Sequence, residues 1–175
     1  MSNPLPKTVD PYRLAGTGAE LRGRLPLAAM KRLASRLAVA EGEVDVSLAF
    51  GIDADHTRYI RGSYSAALQL VCQRCMEAMV FPLRQTVRLG MVTGEAGKAD
   101  LLPGHYEPLI IEEDSLNLVE LVEDEILLAL PIVPMHDQKA CAISLESLCD
   151  APATAAAETH KPFAKLSGMI KAQNK

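Results

Sequence analysis

Residues 43–50 read EVDVSLAF, so Val44, Val46, Leu48 and Phe50 alternate with Glu43, Asp45, Ser47 and Ala49. A period of two puts the four apolar side chains on one face of an extended strand and leaves the other face wet. Such a strand needs neighbours that bury the same face. Residues 59–72 supply one, with Leu68, Leu70 and Cys72 in alternation and a bend expected at Gly62-Ser63. Residues 78–92 supply another, with Pro82 marking an edge or a bulge. The connections are too short for crossover helices, so the chain reads as α+β, built on a twisted antiparallel β-meander.

Two main helices are expected to flank that sheet. Pro26 suits a first helical position, and Leu27, Met30, Leu33, Ala34 and Leu37 recur at helical spacing. The first helix is therefore expected over about residues 26–39, with Gly42 as its stop. The second is expected over about residues 116–130, where Leu118, Val119, Val122, Ile126 and Ala129 form a stripe. Asp114 or Ser115 can cap it and Pro131 ends it. Residues 107–113 can add a strand. Residues 1–25, interrupted by Pro4, Pro6, Pro11, Gly16, Gly18 and Gly23, read as irregular.

Length bounds the organisation. The 175 residues suit a single domain over residues 1–150, followed by a flexible basic tail over 151–175. With 4% aromatic residues and no Trp, the core must be filled by Val, Leu, Ala and Met. No apolar run reaches the roughly 18 residues of a membrane span, and the first eleven residues lack an apolar signal segment. A cytoplasmic protein without a membrane partner is the expectation.

Charge is segregated along the chain. Residues 1–40 carry Lys7, Arg13, Arg22, Arg24, Lys31, Arg32 and Arg36 against Asp10 and Glu20, whereas residues 107–125 are acidic without a base. The net charge of -4 is unlike that of a dedicated nucleic-acid-binding domain, yet a basic end can still meet phosphate. Lys31, Arg32 and Arg36 on the first helix are candidates for RNA contact. Arg58, Arg61 and Arg74 are further candidates on the strands, with Arg84 and Arg88 beside them and Tyr59 and Tyr64 interleaved. An ordinary solvated sheet face fits the same pattern. Glu120, Glu123 and Asp124 share one face of the second helix and form a candidate partner-binding surface. No nucleophile or phosphate loop accompanies them, so a catalytic role is not expected.

The four cysteines are Cys72, Cys75, Cys141 and Cys149. Cys72-Gln-Arg-Cys75 is a C-x2-C pair at a strand junction, where a tight turn lets two thiolates meet one metal ion. Cys141 and Cys149 are more widely spaced, and His136 can replace one thiolate. Structural zinc, free thiols in a reducing compartment and a redox pair are the three readings of this set.

Two stretches, LQLVCQRCMEAM and LVEDEILLALPIVPMHDQKAC, together with Tyr106-Glu107-Pro108 and Pro162-Phe163-Ala164, resemble the YceD family of bacterial proteins. The order and spacing fit over nearly the whole chain. The resemblance implies a role in accumulation of the 23S rRNA and in large-subunit assembly, with rRNA, a precursor large subunit or a ribosomal protein as partner. Cys72 and Cys75 match the family's first cysteine pair. The later pair departs from the compact second pair of some relatives. Two functions are consistent with this: a non-catalytic ribosome-biogenesis factor that touches rRNA, or a protein-only adaptor that works through its acidic helix.

Overall fold

The computed structural model describes residues 5–93, 102–111 and 115–143. The chain divides into two units, Met1–Cys141 and Ala142–Lys175, and every element below belongs to the first. The tail expected over residues 151–175 lies outside the described residues.

The elements run β1 (Thr8–Val9), α1 (Pro11–Thr17), β2 (Glu20–Pro26), a 3-10 turn (Leu27–Ala29), α2 (Lys31–Ala34), β3 (Glu43–Ile52), β4 (Arg58–Val71), β5 (Ala78–Thr93), β6 (Glu107–Ile111), β7 (Leu116–Asn117) and α3 (Leu118–Ala129). Strands β2 to β5 form the expected antiparallel meander, and β6 adds to the far edge to complete a five-stranded sheet. β6 runs parallel to β5, so the sheet is mixed rather than wholly antiparallel. β6 covers only Leu89–Thr93 of β5. Pro82, opposite Ala67, therefore lies on a stretch of β5 that is an edge among the described residues, where a missing N–H is tolerated. A second, two-stranded sheet pairs β1 with β7.

One face of the large sheet is buried. Val44, Val46, Leu48, Phe50, Ile60, Tyr64, Leu68, Leu83, Val87 and Leu89 line it, and the helices supply the other half of the core. α1 packs against β3 and β4, and α3 against β5 and α2. Burying each large aliphatic side chain stabilises the fold by about 1.5–3 kcal/mol.

The N-terminal third differs from the sequence reading. Residues 11–17 are helical because Asp10 caps them, accepting from the Arg13 N–H, and Pro11 opens the first turn. Gly18 ends the helix at φ +62, a left-handed conformation that glycine adopts without penalty. The helix expected over residues 26–39 is instead the end of β2, a 3-10 turn and one helical turn. Pro26 pairs with Glu43, and the Leu27 N–H donates to the Gly42 carbonyl, which holds the start of this segment in the ladder. Leu27, Met30 and Leu33 are still buried, because side chains three apart stay on one side both in the 3-10 turn and in the helical turn that follows it.

The cap of α3 also moves. Asn117, not Asp114 or Ser115, accepts from the N–H groups of Val119 and Glu120. Its buried residues are Leu118, Leu121, Val122, Glu123, Glu125 and Ile126, an apolar stripe with two carboxylates taken in beside it.

The bend expected at Gly62-Ser63 does not interrupt the strand, since β4 runs from Arg58 to Val71 and stays paired with β3 and β5 through both residues; the glycine is required by packing instead. A Cβ there would lie 2.6 Å from the Tyr64 hydroxyl oxygen and 2.9 Å from Val87 Cγ2. Both neighbours are core residues, with Tyr64 only 2% exposed, so neither can yield cheaply. Gly62→Ala is expected to lower stability by about 2 kcal/mol in urea denaturation. An unchanged midpoint would show that the ring of Tyr64 has room the packing does not provide.

Candidate metal centre

β4 and β5 are joined by residues 72–77, and this tip places the C-x2-C pair. The Cys72 N–H donates to the Glu77 carbonyl and the Met76 N–H to the Cys72 carbonyl, both at 2.9 Å. Closing so short a loop drives Met76 to φ +61, a left-handed conformation for a non-glycine residue. The result is a knuckle with Cys72 buried and Cys75 half-buried.

The segment after α3 meets this knuckle. Leu130 leaves the helix in extended conformation, and the Gln73 N–H donates to the Pro134 carbonyl at 2.8 Å. That contact brings His136 and Cys141 over the pair. Cys75 Sγ lies 3.4 Å from His136 Nδ1, and the His136 N–H donates to Cys72 Sγ at 3.4 Å. The ligand atoms of Cys72, Cys75, His136 and Cys141 all fall within 4.8 Å of one another. For comparison, sulfurs about 2.3 Å from a tetrahedral zinc stand about 3.8 Å apart. Three sulfurs and one imidazole make a closed donor set of the structural-zinc type, so the residues present fit such an ion. Cys149 lies outside the described residues.

Arg74 braces the cluster. Its Nε donates to Cys141 Sγ at 3.0 Å and its terminal nitrogen to the His136 carbonyl at 3.1 Å. Burial pushes the Cys72 thiol up, but N–H groups of Cys75, His136 and Arg74 aimed at its sulfur outweigh this and pull it down to about 5. The Glu77 N–H pulls Cys75 down, yet burial and the sulfurs of Cys72 and Cys141 leave it raised. His136 is raised by its hydrogen bond with Cys72.

The other candidate residues divide between separate surroundings. Glu123 does not face outward; it is 5% exposed and turned toward α2. Its carboxylate accepts from the N–H groups of Arg32 and Leu33 and from the Arg32 guanidinium at 2.6–3.1 Å. Arg32 also pairs with Asp124 at 2.6 Å. Thus Arg32, a candidate for RNA contact, and Glu123, a candidate for a protein partner, hold each other. Lys31 and Glu120 line a cleft of about 590 Å³ beside this pair. Arg36 borders a separate cleft with Leu70, Leu127 and Pro134. The Arg58 guanidinium lies 5.6 Å from the centre of the Tyr12 ring, and that of Arg61 lies 4.6 Å from the centre of Tyr59. Tyr64 is a core residue rather than a stacking platform. No described helix is long and apolar enough to cross a membrane.

A one-sided α+β sheet whose β4–β5 hairpin ends in a Cys3His cluster defines a small domain with a knuckle compatible with a metal site. The chain belongs to the YceD family, described as "Large ribosomal RNA subunit accumulation protein YceD", whose pattern matches residues 60–169. Among characterised proteins it is 32% identical over 170 residues to the large ribosomal RNA subunit accumulation protein YceD of Haemophilus influenzae, covering 94% of this chain and 95% of that one. No solved structure matches it.

Two carboxylates on α3 oppose each other in their effect on stability. Burial pushes Glu123 up, but the Leu33 N–H and the Arg32 side chain outweigh it and lower its pKa. Its contribution is present above the ordinary glutamate range near pH 4.3 and is lost as pH falls through the depressed value. Burial first, then Glu107 and Asp124, raise the pKa of Glu125. A raised carboxylate is stabilising only below its unfolded value, and that contribution is lost as pH rises through the folded value. Glu123→Ala is therefore expected to cost about 2 kcal/mol at pH 7, by leaving two backbone donors unpaired. Glu125→Gln is expected to raise the melting temperature at pH 8 and to give no gain at pH 3. Thermal melts across that range check both signs.

Proposed function

We propose that this protein supports accumulation of large-subunit ribosomal RNA as a non-catalytic factor that associates with rRNA during assembly. The observation that carries this reading is membership of the YceD family, with the Haemophilus influenzae relative aligned over 94% of the chain. The Cys3His cluster is proposed to hold structural zinc, with Cys72, Cys75, His136 and Cys141 as ligands. Four protein donors leave no open position for a substrate or a reactive water, which is the arrangement of an ion that shapes a fold. Such an ion would fasten the segment after α3 to the β4–β5 hairpin.

The protein-only adaptor is the second reading. Of the three α3 carboxylates assigned to it, Glu123 is buried against Arg32 and Asp124 also pairs with Arg32, which leaves Glu120 without an ion pair among the described residues. A large positively charged ribosomal protein would have little to grip there.

In a strain lacking the gene, plasmid-borne protein is expected to restore the ratio of 23S to 16S rRNA. Charge reversal at Glu120 and Asp124 is expected to leave that restoration intact. Failure of the wild-type chain to restore the ratio would remove the proposed function, and loss of restoration on charge reversal alone would favour the adaptor.

Metal content gives an independent check. Protein purified under reducing conditions is expected to carry one zinc per chain by native mass spectrometry. Cys141→Ser is expected to weaken zinc retention by tenfold or more, and Cys149→Ser to leave it unchanged. Zinc-free wild-type protein with reduced thiols would contradict the assignment.

A further inference from the structure

The outer face of the five-stranded sheet carries no helix among the described residues, and its register shows how charge is laid out on it. On the β2–β3 half, every arginine has an acid. Arg22 pairs with Glu20 at 2.9 Å, and Arg24 with Asp45 at 2.9 Å and Glu43 at 3.5 Å. On the β4–β5 half the pattern is different. Arg61, Arg84 and Arg88 are exposed and form no ion pair among the described residues.

Arg61 and Arg88 are direct cross-strand partners. Like charges placed opposite each other weaken a sheet, so this pairing opposes folding unless an anion sits between the two groups. Ser65 faces Arg84 and Ser63 faces Thr86 in the same ladder, so small hydroxyl side chains fill the space between the arginines. Arg84 and Arg88 are four residues apart on one strand, about 13 Å at roughly 3.3 Å per residue. A concavity of about 460 Å³ lies at the Arg61–Arg88 end, and Thr86, His105 and one acid, Glu107, also line it. Arg61 is held in place there by the Tyr59 ring.

We infer that this β4–β5 face is where RNA docks, by its phosphate backbone, on Arg61, Arg84 and Arg88. The inference rests on the proposed association with rRNA and locates it. The chemistry is that of backbone recognition: guanidiniums without an acid partner, Arg61 being also hydrogen-bonded to Tyr106, offer forked donors to phosphate oxygens, and serine and threonine hydroxyls add neutral donors between them. The overall charge of -4 disfavours long-range attraction, so the contact depends on this local stripe and not on the whole molecule. Arg22, Arg24 and Arg32 are poorer candidates, because each is already neutralised by an acid of the same chain.

The test uses the full chain and a labelled transcript of large-subunit rRNA, in filter binding across a salt series. Arg84→Gln/Arg88→Gln is expected to weaken binding by about tenfold or more. It is also expected to reduce the slope of log affinity against log salt by about 1.5, the loss for two phosphate contacts. Arg84→Lys/Arg88→Lys is expected to keep most of the salt slope, which separates charge from folding. Arg22→Gln/Arg24→Gln is expected to change neither. Equal affinity and slope for the Gln pair and the wild type would overturn the inference, as would a wild-type chain that does not bind the transcript. The same variants are expressed in the deletion strain. Restoration of 23S rRNA by a Gln pair that binds normally would refute this docking site while leaving the proposed function standing. Failure of the wild type to restore it would count against the function itself.

Discussion

Leu48, Ile60, Tyr64, Leu68 and Val87 lie on the same face of the large sheet, and that shared face is the constraint from which the rest of the molecule follows. A slip of one residue between any two strands would turn an entire apolar set into water, so the register is held strongly. With one face buried, α1, α2 and α3 all contribute to that side. The opposite face is left to polar and charged side chains. Gly62 belongs to the same constraint, since the Tyr64 ring lies over the space its Cβ would need.

That one-sidedness also organises the two ends of the hairpin formed by β4 and β5. Its tip, residues 72–77, turns so tightly that Cys72 and Cys75 come together with Met76 in a left-handed conformation. The segment leaving α3 is anchored to this tip through Gln73 and Pro134, which brings His136 and Cys141 to the pair. At the other end, Arg61 and Arg88 are opposed across the ladder without an acid between them. One hairpin thus carries both the candidate metal site and the candidate RNA face. An ion at the tip would restrain the hairpin on which those arginines stand.

Much of this was legible in the residues themselves. The alternation in β3, the meander and the stripe of α3 are periodic signals, and the C-x2-C pair is a spacing signal. The misread parts share a cause: their partners are distant in the chain. Leu27, Met30 and Leu33 fit either an α-helix or a 3-10 turn, and the ladder contact of Leu27 with Gly42 decided between them. The Asp10, Pro11 and Gly18 signals bounding α1 were present but lay among other breakers. Glu123 reads as one of a row of exposed acids, yet Arg32 and Leu33, about ninety residues earlier, turn it inward. The cysteine set is the exception: the sequence offers His136, Cys141 and Cys149 as partners for Cys72 and Cys75, the path after Pro131 brings the first two to the pair, and Cys149 lies outside the described residues. The opposition of Arg61 and Arg88 is a property of register, which no local pattern contains.

The central claim is that the protein meets large-subunit rRNA through the outer, helix-free face of β4 and β5, beside the end that Leu102 and Tyr106 cover. Ultraviolet cross-linking in living cells, followed by mass spectrometric mapping of nucleotide-bearing peptides, tests it most directly. The account predicts rRNA adducts concentrated on the peptides that contain Gly62 to Ser65 and Gln85 to Val87, between and beside the unpaired arginines. Adducts confined to α3, or none on the sheet from a protein that still co-purifies with large-subunit precursors, would contradict it.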